Sequence, residues 1–505
     1  MSRLLVEGGT VVTASGPVAA DVLVDGEKVV ALLAPGSSPA SSPASSPGGS
    51  PGASPGGSAA RSPADSPPGA SGSADLVRVD ARGKLVVPGG IDVHTHMEMP
   101  FGGTFSADTF TTGTRAAAHG GTTTIVDFAI QPRGGSAREG LDTWMSRAEG
   151  HCAIDFGFHM ILSDVSEPVL KEMPGLVADG ISSFKLFMAY PGVFYSDDGK
   201  ILTAMQTAAD CGAVVMMHAE NGIAIDVLVA QALAAGKGDP RMHGETRPSV
   251  LEGEATHRAI VLAGVANCPL YIVHLSAKEA LEEVAAARDA GRQVFAETCP
   301  QYLFLDASLM AGPGMEGAKY VCSPPIREAE HHEALWRGLG TDDLSVVSTD
   351  HCPFCMKDQK ELGRGDFSKI PNGLPGVEHR MDLVYQGVVE HKISLARFVE
   401  LTSTAPARLF GLYPKKGSLL PGADADLVVY DPARRHTLSV EAHHMSVDYS
   451  AYEGMEVTGA VETVISRGEV VVDHGAFTGR EGRGQFVERS PFAGMDVPAR
   501  TDGAR

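Results

Sequence analysis

Residues 85–104 read LVVPGGIDVHTHMEMPFGGT. The apolar run from Leu85 to Val93 has the composition of a buried strand, and it ends at His94 and His96, whose i, i+2 spacing puts both imidazoles on one face. Two metal-capable side chains therefore leave one short segment together. Further strand runs follow at Thr123 to Phe128, Ile154 to Leu162, Ser183 to Met188, Ala213 to Met217, Leu270 to Val273, Gln293 to Ala296 and Leu344 to Val347, with helix-like segments between them. With the first run they number eight. Strands alternating with helices predict a parallel sheet, and eight of them predict an α/β fold of the TIM-like (β/α)8 barrel type. Among the intervening helices the clearest start is Ser276-Ala-Lys-Glu279, whose Ser-x-x-Glu spacing predicts a capping box, with a stop at Gly291.

In such a barrel the C-terminal strand ends converge on the active site. His94 and His96 close the first run, Lys185 sits in the fourth, His218 ends the fifth, His274 the sixth and Asp350 the eighth. A lone strand-end histidine is usually a hydrogen-bonded core or surface residue, and His119, His151, His243, His331 and His332 are read that way. Four histidines and an aspartate that all fall at strand ends are not explained so. Lys185 is the least ordinary member, because SSFKLFMAY sets an amine inside an apolar strand, where burial lowers its pKa and leaves a neutral nucleophile. Three roles stay open for it: snorkelling to a strand end, a Schiff base, or uptake of carbon dioxide to form a carbamate that bridges two cations. Imidazole nitrogen together with carboxylate oxygen suits borderline metals such as zinc, and a pair of cations roughly 3.5–4 Å apart generates a hydroxide nucleophile at neutral pH. Asp350 is then placed to take a proton and hand it to a leaving nitrogen. The pattern points to hydrolysis of an unactivated carbonyl bond.

Outward from the barrel, residues 1–34 read as short strands, and strand character returns at Leu76 to Val79, Leu85 to Val87, Asp426 to Tyr430 and Ala460 to Ser466. These predict a small β-sandwich built from both chain ends, comprising residues 1–87 and 416–475 around a barrel at 88–415, with a polar tail at 476–505. Residues 35–73 collapse into Ser, Pro, Gly and Ala, which bury too little apolar surface to offset chain entropy, and predict a disordered insertion in a surface loop. A net charge of −21 argues against a nucleic-acid partner, because neutralising phosphates requires a basic face. The longest apolar stretch, Ala259 to Leu275, is interrupted by Asn267, Pro269 and His274 and is too short to span a bilayer. Without a secretion signal, the seven cysteines are expected as free thiols in a cytoplasmic enzyme, and Cys352-Pro-Phe-Cys355, with no second pair, is not expected to be a redox or zinc site.

Nine ordered strings then carry a resemblance: GGIDVHTHMEMPFGGT (89–104), HGGTTTIVDFA (119–129), SFKLFMAYPG (183–192), MMHAENG (216–222), IVHLSAKEAL (272–281), ETCPQYLFLD (297–306), CSPPIR (322–327), STDHCPF (348–354) and IPNGLPGVEHR (370–380). Together they resemble the dihydropyrimidinase and hydantoinase branch of the amidohydrolase superfamily, from the N-terminus to about residue 470 apart from the insertion. The resemblance implies two zinc ions per subunit, one on His94, His96 and Asp350 and the other on His218 and His274, bridged by Lys185 as N6-carboxylysine. It implies that Tyr190 hydrogen-bonds a developing oxyanion and that the Ser323 and Asn372 backbones hold the ring of a small cyclic ureide; Met99, Phe101, Phe187 and Phe194 lie where the family's apolar loops face its substituent, with core packing as the other reading. It also implies a homotetramer. The expected reaction is ring opening of 5,6-dihydropyrimidines or 5-substituted hydantoins to N-carbamoyl amino acids. Allantoinase and dihydroorotase are the enzymatic alternatives, although Met97-Glu98 offers no arginine after the HxH pair to hold a dihydroorotate carboxylate. A non-catalytic scaffold relative is the third alternative, opposed by the presence of every metal position.

Overall fold

The computed structural model describes residues 3–37 and 76–497; the insertion expected at 35–73 lies almost wholly outside the described residues. Eight parallel strands form one sheet in sequence order: β1 (Gly90–Thr95), β2 (Thr122–Ile130), β3 (Asp155–Ile161), β4 (Ser183–Phe187), β5 (Val214–His218), β6 (Leu270–Ile272), β7 (Val294–Thr298) and β8 (Val346–Val347). A parallel bridge between Thr95 and His351 brings the last edge back to the first and nearly closes the barrel. β2 shows why these segments read as unbroken apolar runs. TTTIVDFAI is buried along almost its whole length, because side chains of one face fill the barrel and those of the other meet the surrounding helices.

Two readings are corrected. The run Leu85 to Val93 is not one strand: Leu85–Pro88 pairs with Leu427–Thr437 in the small domain, and only Gly90–Thr95 enters the barrel. Gly89 marks the crossing, where a Cβ would meet Thr123 Oγ1 at 2.1 Å; apolarity continues through the Pro-Gly-Gly step although the pairing partner changes. Ser276 does not cap a helix either. The helix begins at Lys278, after an Ala277 that makes no side-chain cap, while Ser276 Oγ donates to Glu252 Oε2 at 2.5 Å and accepts from Arg327 Nε at 3.0 Å. A buried Arg327–Glu252 ion pair at 2.8 Å has captured the hydroxyl. After the barrel's last strand the chain is helical from Leu395–Val399 through a wider π turn over Glu400–Thr404 to Ala405–Leu409.

The small domain is a pair of sheets drawn from both chain ends. One orders Lys28–Leu33, Asp21–Asp25, Arg3–Glu7 and Leu76–Asp80; the other is seven-stranded and includes Thr10–Thr13, Leu85–Pro88, Leu427–Thr437, Glu456–Ser466 and Glu469–Asp473. Leu4, Val6, Val22 and Val24 from the first pack against Val11, Val86, Leu427, Val429 and Ile465 from the second. A buried ionic joint ties this domain to the base of the barrel: Lys416 Nζ lies 2.6 Å from Asp155 at the start of β3, 3.0 Å from Asp424 and 2.6 Å from Asp426. The chain beyond Phe477 is not idle. It runs across the N-terminal ends of β3 to β5, where Val487 N donates to Phe156 O at 2.8 Å, Arg489 N to Gly180 O at 3.3 Å and Phe492 N to Gly212 O at 2.8 Å. With that end covered, the open mouth is the C-terminal one.

Candidate active site

The sequence-selected side chains meet at that mouth. Lys185 lies on β4 beside β5, whose last residue His218 pairs with Phe187. Past His218, Asn221 accepts from Ala224 N at 3.1 Å and starts the helix Gly222–Ala234, which fixes where the strand stops. His274 and Asp350 stand on loops just beyond β6 and β8 with φ of +39° and +51°, a backbone region that non-glycine residues hold only when the surroundings over-determine it.

His94 Nε2 and His96 Nε2 each lie 3.2 Å from Asp350 Oδ1, and the three residues offer one ligand atom each within 4.8 Å of one another, a group that can hold a metal ion. His94 Nε2 is also 2.9 Å from Lys185 Nζ. On the other side His218 Nδ1 is 3.0 Å from His274 Nε2. All the nitrogens therefore face one small volume, with the Lys185 amine between the two groups and 4.3 Å above the Phe128 ring. Burial pushes the Lys185 amine down to about 8, against the pull of Asp350 and Glu297, and a depressed amine is what carbamate formation requires. Burial, then the Lys185 charge, holds His94 well below the usual imidazole range. Asp350 shows the opposite balance. Burial would raise it, but His94, His96 and Lys185 together bring it to about 2, so it is a carboxylate.

Above this cluster lies a cleft. Met99, Phe101, Phe187 and Phe194 supply an apolar wall, and Tyr190, Ser323 and Asn372 supply polar groups. Tyr190 has φ +62° and its ring centroid is 5.3 Å from that of His218. Burial, then the Glu220 charge, raises its phenol, which keeps it a donor. Asn372 Nδ2 donates to Ser323 Oγ at 3.1 Å, and His243 Nε2 is 3.2 Å from the same hydroxyl. His243, read from sequence as an ordinary buried histidine, is hydrogen-bonded to Cys322 O at 2.7 Å and thus supports this wall. The seven cysteines are all free thiols.

Sequence reasoning missed the carboxylates behind the histidines. Glu297, at the end of β7, is hydrogen-bonded to His94 Nδ1 and accepts from Tyr271 Oη at 2.9 Å and His274 N at 3.2 Å. Glu220 Oε2 is 2.8 Å from His218 Nε2. Each leaves the opposite ring nitrogen facing the cluster, the usual way in which a ligating histidine is oriented. Asp92 accepts from His94 N and Thr349 N, both at 3.2 Å, and so joins the segments carrying His94 and Asp350. Asp127 accepts from Thr95 Oγ1 at 2.7 Å and Met97 N at 2.9 Å, on either side of His96. A signal was present: Asp92, Glu220 and Glu297 each lie in or next to an apolar strand run, and the first two are at i±2 from a histidine.

The model of the amidohydrolase family matches residues 85–471. The chain belongs to the amidohydrolase family. It is 60% identical to the D-hydantoinase of Streptomyces coelicolor over 489 residues, 97% of this chain and 98% of that protein. It is 50% identical to the D-hydantoinase of Geobacillus stearothermophilus, over 83% of this chain and 89% of that one. The crystal structure of dihydropyrimidinase from Brevibacillus agri superposes with a TM-score of 0.89 at 46% identity, covering 98% of this chain and 100% of the other. This amidohydrolase is therefore a hydrolase of the hydantoinase and dihydropyrimidinase branch, which the relatives favour over the allantoinase, dihydroorotase and scaffold alternatives. Among the described residues no helix is long and apolar enough to cross a membrane.

Proposed function

We propose that this amidohydrolase opens the ring of 5,6-dihydropyrimidines, 5-substituted hydantoins or both, adding water across a ring amide C–N bond to give an N-carbamoyl amino acid. The observation that carries the reading is the convergence of His94, His96 and Asp350 with Lys185, His218 and His274 beneath a cleft with one apolar and one polar wall. His94, His96 and Asp350 would hold one zinc ion, His218 and His274 a second, and Lys185, after taking up carbon dioxide and releasing a proton, would bridge them as a carbamate. The donor set fits borderline divalent cations, which when bound lower the pKa of water and polarise a carbonyl.

The chain's own groups do the rest. Asp350, ionised at neutral pH, accepts the proton of the attacking water and delivers it to the departing ring nitrogen. Tyr190, kept protonated by burial, donates to the oxygen that gains charge. The backbones of Ser323 and Asn372 hold the ring's NH and carbonyl edge, and Met99, Phe101, Phe187 and Phe194 receive the substituent. We read the enzyme as a cytoplasmic homotetramer, for which sedimentation velocity is the test. Metal analysis and comparative turnover test the chemistry: about two zinc per chain, with dihydrouracil and hydantoin opened faster than allantoin and dihydroorotate, is expected. A chain that binds no metal, or prefers either of the last two substrates, refutes the proposal.

A further inference from the structure

The loop after β8 carries a lysine that this reaction does not use. Lys360 is wholly buried, and the ionisable groups that face it are the thiols of Cys322 and Cys352 and the imidazole of His243 rather than a carboxylate. Its Nζ donates to Val321 O and to Gly373 O, both at 2.8 Å. Those carbonyls lie on the two loops that the proposed reaction uses to hold the ring, Val321 two residues before Ser323 and Gly373 directly after Asn372. The loops touch nearby, through Gly373 N donating to Val321 O at 3.0 Å and Asn372 Nδ2 donating to Ser323 Oγ.

The lysine is itself held in place. Its backbone N–H donates to Cys355 O at 2.9 Å. Gly363, three residues on, is pressed against Ile370 so closely that a Cβ would meet Ile370 N at 2.6 Å. Val321, Phe367 and Ile370 share one apolar cluster, so the turn bearing Lys360 and both loops form one packed unit. A buried amine with no counter-charge is unfavourable, and an apolar side chain of similar volume would fill the space at lower energy. What the amine adds is two donors of fixed direction. Burial pushes it down to about 7, and a neutral amine still has two N–H groups, one for each carbonyl.

We infer that Lys360 is a positioning residue, which sets the separation of the Ser323 and Asn372 edges of the cleft and thereby orients the substrate ring. This rests on the reading of Ser323 and Asn372 given above. The test is Lys360→Met, similar in length and without donors, in the zinc-loaded enzyme with hydantoin as substrate. Zinc content and the circular dichroism spectrum should match the wild type, since Lys360 touches none of the proposed ligands. kcat/KM should fall about tenfold, the scale of one weakened hydrogen bond to the ring, carried mainly by KM because a displaced edge weakens substrate and transition-state binding alike. A role in stability alone would lower the active fraction and hence kcat, leaving KM as it was; that pattern, or unchanged kinetics, overturns the inference. Should the methionine variant not fold, Lys360→Gln, whose shorter side chain sets its two N–H donors back from the carbonyls, is judged by the same KM criterion. A wild-type enzyme that opens hydantoin beside an unaltered variant refutes the role of Lys360 alone, whereas a wild type that opens no cyclic ureide refutes the functional reading and this inference with it.

Discussion

Replacing Glu297, whose carboxyl burial raises to about 7, by glutamine removes the negative charge it carries above that pH from behind His94 and changes almost nothing in volume. Glu297 is completely buried and accepts from His94 Nδ1, Tyr271 Oη and His274 N. The His94 contact decides which ring nitrogen carries the proton, because Nε2 faces Asp350 and Lys185 and must present a lone pair to bind a cation. In the glutamine variant the Tyr271 hydroxyl can rotate to accept from the new amide, so no donor need be stranded. The bond to His94 becomes a neutral one, however. Hydrogen bonds to charged groups contribute about 1.5–3 kcal/mol and neutral ones about 0.5–1.5 kcal/mol, so the loss is roughly 1–1.5 kcal/mol, which corresponds to about tenfold in affinity. This lies at the low end of the 10- to 100-fold range expected for partners behind a metal ligand. Zinc competition against a chromophoric chelator, read on wild type and Glu297→Gln at one pH, measures the effect without reference to turnover. Expected is an approximately tenfold weaker site with a normal circular dichroism spectrum. Zinc affinity equal to wild type would show that Glu297 does not orient His94, and the same argument for Glu220 and His218 would lose its support.

Lys185→Ala should lose bound metal and nearly all activity, and a small carboxylic acid added to the variant should restore part of both by bridging in the vacated space; mass measurement on native protein checks the carbamate directly. Asp350→Asn should keep the fold and lose about 10²–10⁴ in rate through its proton-transfer role, as read by steady-state kinetics beside metal analysis, and near-normal turnover would remove it from the mechanism. Lys416→Met should destabilise by about 3–5 kcal/mol in urea unfolding, because the charges of Asp155, Asp424 and Asp426 are left with only Arg467, beside Asp155, and Lys28, beside Asp424, as paired cations among the described residues. The same joint predicts an acid limb. Against the effect of burial, Lys416 holds Asp155 and Asp424 below the usual carboxylate range, so their stabilisation is complete above roughly pH 4 and is lost as pH falls through their lowered values. Asp426, raised by burial, works against it, and urea midpoints between about pH 2 and 6, spanning the usual carboxylate range, give the net sign.

Much of the fold and the six proposed ligands were legible in the sequence, for a local reason. A barrel strand buried on both faces must be apolar over several residues, so a histidine, lysine or aspartate that ends or interrupts such a run stands out, as His94, Lys185, His218 and Asp350 do. The parallel order follows from alternation of strands with helices, and the pairing of both chain ends in the small domain from strand runs resuming after the barrel. Tertiary structure alone decided the rest. The strand run at Leu85 to Val93 divides between two sheets because pairing, not apolarity, ends a strand at Pro88 and Gly89. Ser276 leaves its helix for Glu252 and Arg327 because buried charge outbids a cap. Glu297 lies 203 residues from the His94 it orients, and Lys360 reaches carbonyls 39 and 13 residues away. Burial period and strand ends are written in neighbouring residues, whereas hydrogen-bond partners of buried polar groups depend on which distant segments the closed barrel brings within 3 Å.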